Sequence, residues 1–247
     1  MAAWAAVIMG NSRLHWAVLA ADQIVATGDV AHPLGGWVTP DAPEIAATPL
    51  LTVPELWVAS VVPAANPPWQ ALPQSRLLSV ADVPLKWVYP TLGLDRALAL
   101  WGAIATVGAP VLVIDGGTAL TLTAADGTGS LVGGAILPGV RMQFRALGQQ
   151  TAQLPQVEAS VTTLPPRWAR TTEGAIASGI WHTVTAGLWA FIQDWHRTYP
   201  ASPVVLTGGD GDRLWTAIVS LYPEAHDFLR LDPHLIVRGM AALRSPT

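Results

Sequence analysis

Cysteine is absent from the 247-residue chain. That excludes disulfides, thiolate catalysis and zinc–sulfur centres. Charge is also scarce. Charged residues make up 12% of the chain, the net charge is −4 and no basic run occurs anywhere, so there is no electrostatic footprint for nucleic acid. The opening Met-Ala-Ala-Trp places no basic residue ahead of its short apolar run. It therefore lacks the charged start of a secretory signal, and a cytoplasmic location is expected. The most apolar uncharged stretch, residues 97–114, is interrupted by Gly102, Thr106, Gly108 and Pro110. Pro110 ends any helix ahead of the β-branched run at 111–114, so this stretch is expected to be a buried helix followed by a buried strand, with no membrane partner.

Core material is abundant. Hydrophobic residues reach 51% of the sequence, which excludes a disordered chain. The twelve tryptophans are scattered along it, and core and interface filling accounts for them. At this length the chain can hold one large α/β domain or two linked halves, each with its own core.

Two segments share one pattern. Val7-Ile8-Met9 leads into Gly10-Asn11-Ser12 and then Leu14-His15-Trp16-Ala17-Val18, a strand, a tight turn and a second strand. Residues 111–114 lead into Asp115-Gly116-Gly117-Thr118 and then Leu120-Thr121-Leu122-Thr123, with a further turn at Asp126-Gly127. Superposing Gly10 on Gly117 gives two copies of one supersecondary unit, each opening about half of the chain. Two α/β halves follow, residues 1–105 and 106–247. The first half continues through a proline-rich stretch at 33–73 with a short strand near 56–62. Helices are expected at 97–107, 140–147, 172–197 and 232–243, and a strand at Val204-Val205-Leu206.

A strand followed by glycine and a hydroxyl residue in a tight turn directs backbone N–H groups and an Oγ toward an anion, for which phosphate is the usual ligand. Taken singly, either turn is better explained by a hairpin that needs glycine for positive φ. Two such turns in duplicated halves fit an architecture that grips a nucleotide's phosphates across a cleft. In that setting Asp115 can hold a cation that neutralises phosphate charge. Thr207-Gly208-Gly209-Asp210 follows a strand and starts a helix, so its glycines either admit a base or ribose or simply make the turn. Gly133-Gly134 and Pro138-Gly139 either do the same or only allow close packing of the halves, the reading preferred for them. Asp95-Arg96 sits between Gly93 and a long apolar stretch. A carboxylate there can take the proton of an attacking alcohol, and the guanidinium can bind a substrate carboxylate. The plainer alternative is an acidic residue favoured at a helix start, with Arg96 exposed.

In this order, these segments resemble the type III pantothenate kinases of the acetate and sugar kinase, Hsc70 and actin superfamily. Gly10-Asn11-Ser12 is similar to the family's first phosphate motif, and Gly93-Leu94-Asp95-Arg96 to its Gly-x-Asp-Arg substrate motif. Residues 113–121 are similar to the second phosphate motif. Gly133-Gly134-Ala135-Ile136-Leu137-Pro138-Gly139 matches the Gly-Gly-x-Ile-x-Pro-Gly segment. Residues 172–179 match the Thr-x-x-Ala-Ile-x-x-Gly helix start, and 206–210 the adenosine motif.

The resemblance implies an α/β fold of duplicated ribonuclease H-like (actin-like ATPase) halves with a nucleotide cleft between them. It implies ATP-dependent phosphorylation of pantothenate, the first step of coenzyme A synthesis, with Asp95 as general base. Gly93, Leu94, Arg96 and Tyr89 would hold the substrate, and Thr172 would reach it from a partner subunit in a homodimer with shared active sites. Gly10, Asn11, Ser12, Arg13, Gly116, Gly117, Thr118, Gly208 and Gly209 would contact ATP. Asp115 would bind a monovalent cation, K+ or NH4+, and Mg2+ would arrive with the nucleotide. Two positions depart from the family pattern: Ile8 stands where an aspartate is usual, and His15 where many members have lysine. The first departure raises a rival reading, a non-catalytic regulator on the same scaffold. A second rival is a superfamily kinase for another small alcohol or acid.

Overall fold

A computed structural model describes residues 2–21, 23–159 and 163–244 of the chain. Contacts divide it into two units. One comprises residues up to Ala105 together with those from Ile236 onward, and the other runs from Thr106 to Leu235.

In the first unit, β1 (Trp4–Met9), β2 (Arg13–Ala20), β3 (Gln23–Ala31), β4 (Leu56–Ser60) and β5 (Ser75–Leu77) form one sheet in the order β3-β2-β1-β4-β5. β1 pairs antiparallel with β2 and parallel with β4. As the central strand it is buried along its whole length, which is why it reads as a continuous apolar run rather than an alternating one. Ala5, Val7 and Met9 join Leu14, Leu56, Val58 and Trp69 in the core. The proline-rich stretch contributes α1 (Pro43–Ala46) and α2 (Asn66–Gln70) with two short 3-10 turns, and in each of these four pieces proline occupies one of the first two positions. Proline's fixed φ and missing N–H suit a helix start, so these prolines open short helices that cover one sheet face.

α3 (Leu94–Val107) follows, buried through Leu94, Arg96, Leu98 and Leu100.

The second unit repeats the plan. β6 (Val111–Gly116), β7 (Ala119–Ala125), β8 (Leu131–Pro138), β9 (Val204–Thr207) and β10 (Leu229–Leu231) run in the order β10-β9-β6-β7-β8. Again the first strand pairs antiparallel with the second and parallel with the fourth. The duplication expected from the two turns therefore extends to whole sheets, three antiparallel strands joined to two parallel ones, the pattern of a ribonuclease H-like half. α4 (Val140–Gln150), α5 (Thr172–Thr198) and α6 (Gly211–Leu221) pack on this sheet.

Among the described residues α5 is the one helix long and apolar enough to cross a membrane, but half of its most apolar window is buried in the protein. Ile176, Ile180, Val184 and Leu188 repeat every four residues on the buried side and join the core of β6, β7 and β9. That is the stripe of a core helix. The chain closes with α7 (Leu235–Arg244). Its Gly239 lies so close to the Leu98 carbonyl of α3 that a Cβ would collide with it. Arg244 reaches Glu55 at 2.8 Å. These contacts assign α7 to the first unit, whereas the sequence segmentation runs the second half to the C-terminus.

Candidate active site

The candidate residues fall into three clusters, each within one unit. The first is the β1–β2 turn. Gly10 N–H donates to the Arg13 carbonyl at 3.0 Å, closing a tight loop in which Asn11, Ser12 and Arg13 are exposed. The Arg13 guanidinium pairs with Asp29 of β3. Ile8, in the position where a carboxylate is usual, is buried at 9% exposure and lies opposite His15 and Ala59 in the sheet.

The second cluster opens α3. Gly93 caps the helix, its carbonyl accepting from Ala97 N–H at 3.0 Å. Asp95 Oδ1 folds back to accept from Arg96 N–H at 2.8 Å. A Cβ at Gly93 would stand 2.5 Å from that same oxygen, so glycine is what leaves room for the carboxylate. Asp95 is half-buried. Arg96 is only 6% exposed and donates through Nη1 to the Tyr89 hydroxyl at 2.8 Å. The alternative with an exposed Arg96 is thereby removed: an arginine this buried is held for its donors. Leu94, at the first position of α3, is buried beside them.

The third cluster lies at one end of the second sheet. Asp115, near the end of β6, faces Thr121 across β7 and Thr207 across β9. Gly208 has φ +83°, and a Cβ there would collide with Asp115 Oδ1 and stand 2.8 Å from the Gly116 carbonyl carbon. Gly116 O accepts from Asp210 N–H at 2.9 Å, tying the two glycine turns together. Thr118 O accepts from Gly139 N–H at 3.1 Å, and a Cβ on Gly139 would lie 2.5 Å from it. Gly139 is therefore needed inside this unit, for the approach of the end of β8 to the 115–118 turn.

Asp115, Gly116, Gly117, Thr118, Gly208 and Gly209 are thus brought together. Thr172 stands apart from them. It is exposed at the first position of α5 and lines an open groove of about 400 Å³ with Leu147, Leu154 and Ile176.

Asp210, at the cap of α6, was not assigned a role from sequence. It is only 4% exposed, with Arg213 Nη1 at 2.8 Å and Arg141 Nε at 3.5 Å. Its signal was present, an aspartate at the end of a glycine turn with arginine three residues on. The second arginine comes from a different helix. Among the described residues no group of three or more His, Cys, Asp or Glu side chains converges to hold a metal. A cation at Asp115 would complete its shell with hydroxyl, carbonyl, phosphate and water oxygens. The half-buried Asp115 carboxylate against the crowded glycine turns at Gly117 and Gly208 fits that chemistry.

Residues 6–194 match the family model described as Type III pantothenate kinase. The chain is 47% identical over 243 residues to a type III pantothenate kinase of Synechococcus sp. (strain JA-3-3Ab), covering 98% of this chain and 92% of that one. Among solved structures it is similar to a Baf family protein from Campylobacter jejuni, with a TM-score of 0.60 at 18% identity over 97% of this chain and 96% of the other. It is also similar to a ROK family glucokinase from Streptomyces griseus, at a TM-score of 0.51, 14% identity and 98% of both chains. These two likenesses concern the fold.

Proposed function

From the premise that the chain belongs to the type III pantothenate kinase family, an ATP-dependent phosphotransferase making 4'-phosphopantothenate, we propose how its own residues carry the reaction. Asp95 takes the proton of the substrate's primary hydroxyl as that oxygen attacks the γ-phosphorus of ATP. The new O–P bond forms, the bond to the bridging oxygen breaks and ADP leaves. The observation that carries this reading is the glycine-cleared, half-buried Asp95 carboxylate beside buried Arg96, whose guanidinium donates to the hydroxyl of exposed Tyr89. Arg96 and Tyr89 offer donors to the substrate carboxylate, and Gly93 and Leu94 shape the wall beneath it.

In the first turn the backbone N–H groups of Asn11 and Ser12 and the Ser12 hydroxyl contact phosphate, while Gly10 and Arg13 close the loop around it through the bond from Gly10 N–H to the Arg13 carbonyl. Gly116, Gly117 and Thr118 do so in the second, and Gly208 and Gly209 lie against the adenosine. Magnesium neutralises triphosphate charge when bound with the nucleotide. Ile8 removes one carboxylate from the first turn but leaves Asp95, Arg96, Asp115 and Thr118 in place, and a regulator has no use for both a base and a cation-binding carboxylate. We further propose a cytoplasmic homodimer in which Thr172 of one copy reaches the pantothenate held by Asp95 of the other.

Asp115 holds a monovalent cation in this scheme. Replacing potassium and ammonium with a bulky organic cation is expected to lower the steady-state rate by roughly tenfold or more. Full activity in that buffer would remove Asp115 from the cation role.

A further inference from the structure

One histidine braces the first turn at both ends. His32 lies just beyond β3, and its own N–H donates to the Ser12 carbonyl at 3.3 Å. Its ring spans the gap to the other end of the turn, with Nε2 at 2.9 Å from the Gly10 carbonyl. A carbonyl only accepts, so Nε2 carries the proton. Consistently, Nδ1 accepts from Val38 N–H at 3.3 Å, and the two contacts together define a neutral ring with its proton on Nε2. Val38 is itself anchored, its carbonyl accepting from the indole of Trp69 at 3.0 Å, and Trp69 is fully buried. Trp37 packs edge-on against the His32 ring, with centroids 5.0 Å apart. A continuous strut thus runs from the core through Trp69, Val38 and His32 to both carbonyls of the turn.

A turn that binds phosphate through its N–H groups works best when those groups are aimed before the ligand arrives, because reorganisation is then avoided on binding. Asn11, Ser12 and Arg13 are exposed, so the ring of His32 supplies support from beneath. We propose that His32 is a positioning residue for the nucleotide, holding the Gly10–Ser12 turn in its phosphate-binding shape through the Nε2–H bond. This rests on the reading of that turn as a phosphate site.

Steady-state kinetics of the full-length enzyme with ATP and pantothenate varied separately test it. His32→Ala is expected to raise KM for ATP about tenfold, the size of losing one to two hydrogen bonds. KM for pantothenate should stay within about twofold. His32→Gln, whose side-chain amide N–H can reach the same carbonyl, should return KM for ATP to within about threefold of the parent. His32→Leu fills the ring's space without a donor and should behave like His32→Ala, which keeps the comparison available if the alanine variant does not fold. An unchanged KM for ATP in the folded alanine or leucine variant, an equal rise in both KM values, or a glutamine variant as impaired as leucine would each overturn the proposal. Asn11→Pro and Ser12→Pro, each of which deletes a backbone N–H of the turn, separate the two levels. If neither alters KM for ATP, the phosphate reading of the turn fails. If they raise it while His32→Leu does not, only the strut fails.

Discussion

Asp95 depends on the residue two before it. Because Gly93 has no Cβ, the carboxylate can turn back over the helix start to within 2.8 Å of the Arg96 N–H. Asp95→Asn keeps that shape and removes the ability to accept a proton. The variant should fold as the parent does and lose roughly 10²–10⁴-fold in kcat, the usual range for a missing general base. A loss smaller than about tenfold would take Asp95 out of that role. The sequence made this cluster visible because Gly-x-Asp-Arg is contiguous. It could not reveal that Arg96 is buried or that Tyr89 is its partner, since that bond spans a loop of irregular backbone. Asp210 stayed unassigned for a similar reason, Arg141 lying on another helix.

Regular elements were legible where one periodicity ran long enough. α5 and the two central strands β1 and β6 were expected within a few residues of where they lie. β8 was not, because Gly133 and Gly134 interrupt it and apolar residues stand on both faces, Leu131 and Leu137 inward but Val132 and Ile136 outward, so no alternation shows; it is fixed by pairing with β7. β5 and β10 are three residues each and are held by parallel pairing, with Leu77 and Leu229 packed on the two cores. In the stretch at 33–73 prolines read as interruptions but in fact begin helices. The β9–α6 turn is the element on which the second site most depends. Gly208 sits at positive φ with its missing Cβ directed at Asp115, so Gly208→Ala combines backbone strain with a collision. It should cost about 1–3 kcal/mol of stability and raise KM for ATP more than KM for pantothenate. A variant with parental melting temperature and parental ATP kinetics would show that the turn has slack.

At the scale of the whole molecule the duplication was legible from two short turns, while the sheet order it extends to and the return of α7 to the first unit were not, the latter resting on the Gly239 approach to Leu98 and on Arg244 reaching Glu55. The shared-site homodimer makes its own prediction. Asp95→Asn and Thr172→Val, each inactive alone, are unfolded, mixed equally and refolded together. Mixed dimers then gather both lesions in one site and free the other, so roughly a quarter of all sites recover under random pairing. No recovery, with mixed dimers verified by mass, would rule out sharing. The central claim, that this chain phosphorylates pantothenate, is tested most directly by ADP formation with ATP, magnesium and potassium or ammonium present. Pantothenate should drive ADP release well above background while acetate and simple sugars do not. No pantothenate-dependent ADP from the folded protein would contradict the account.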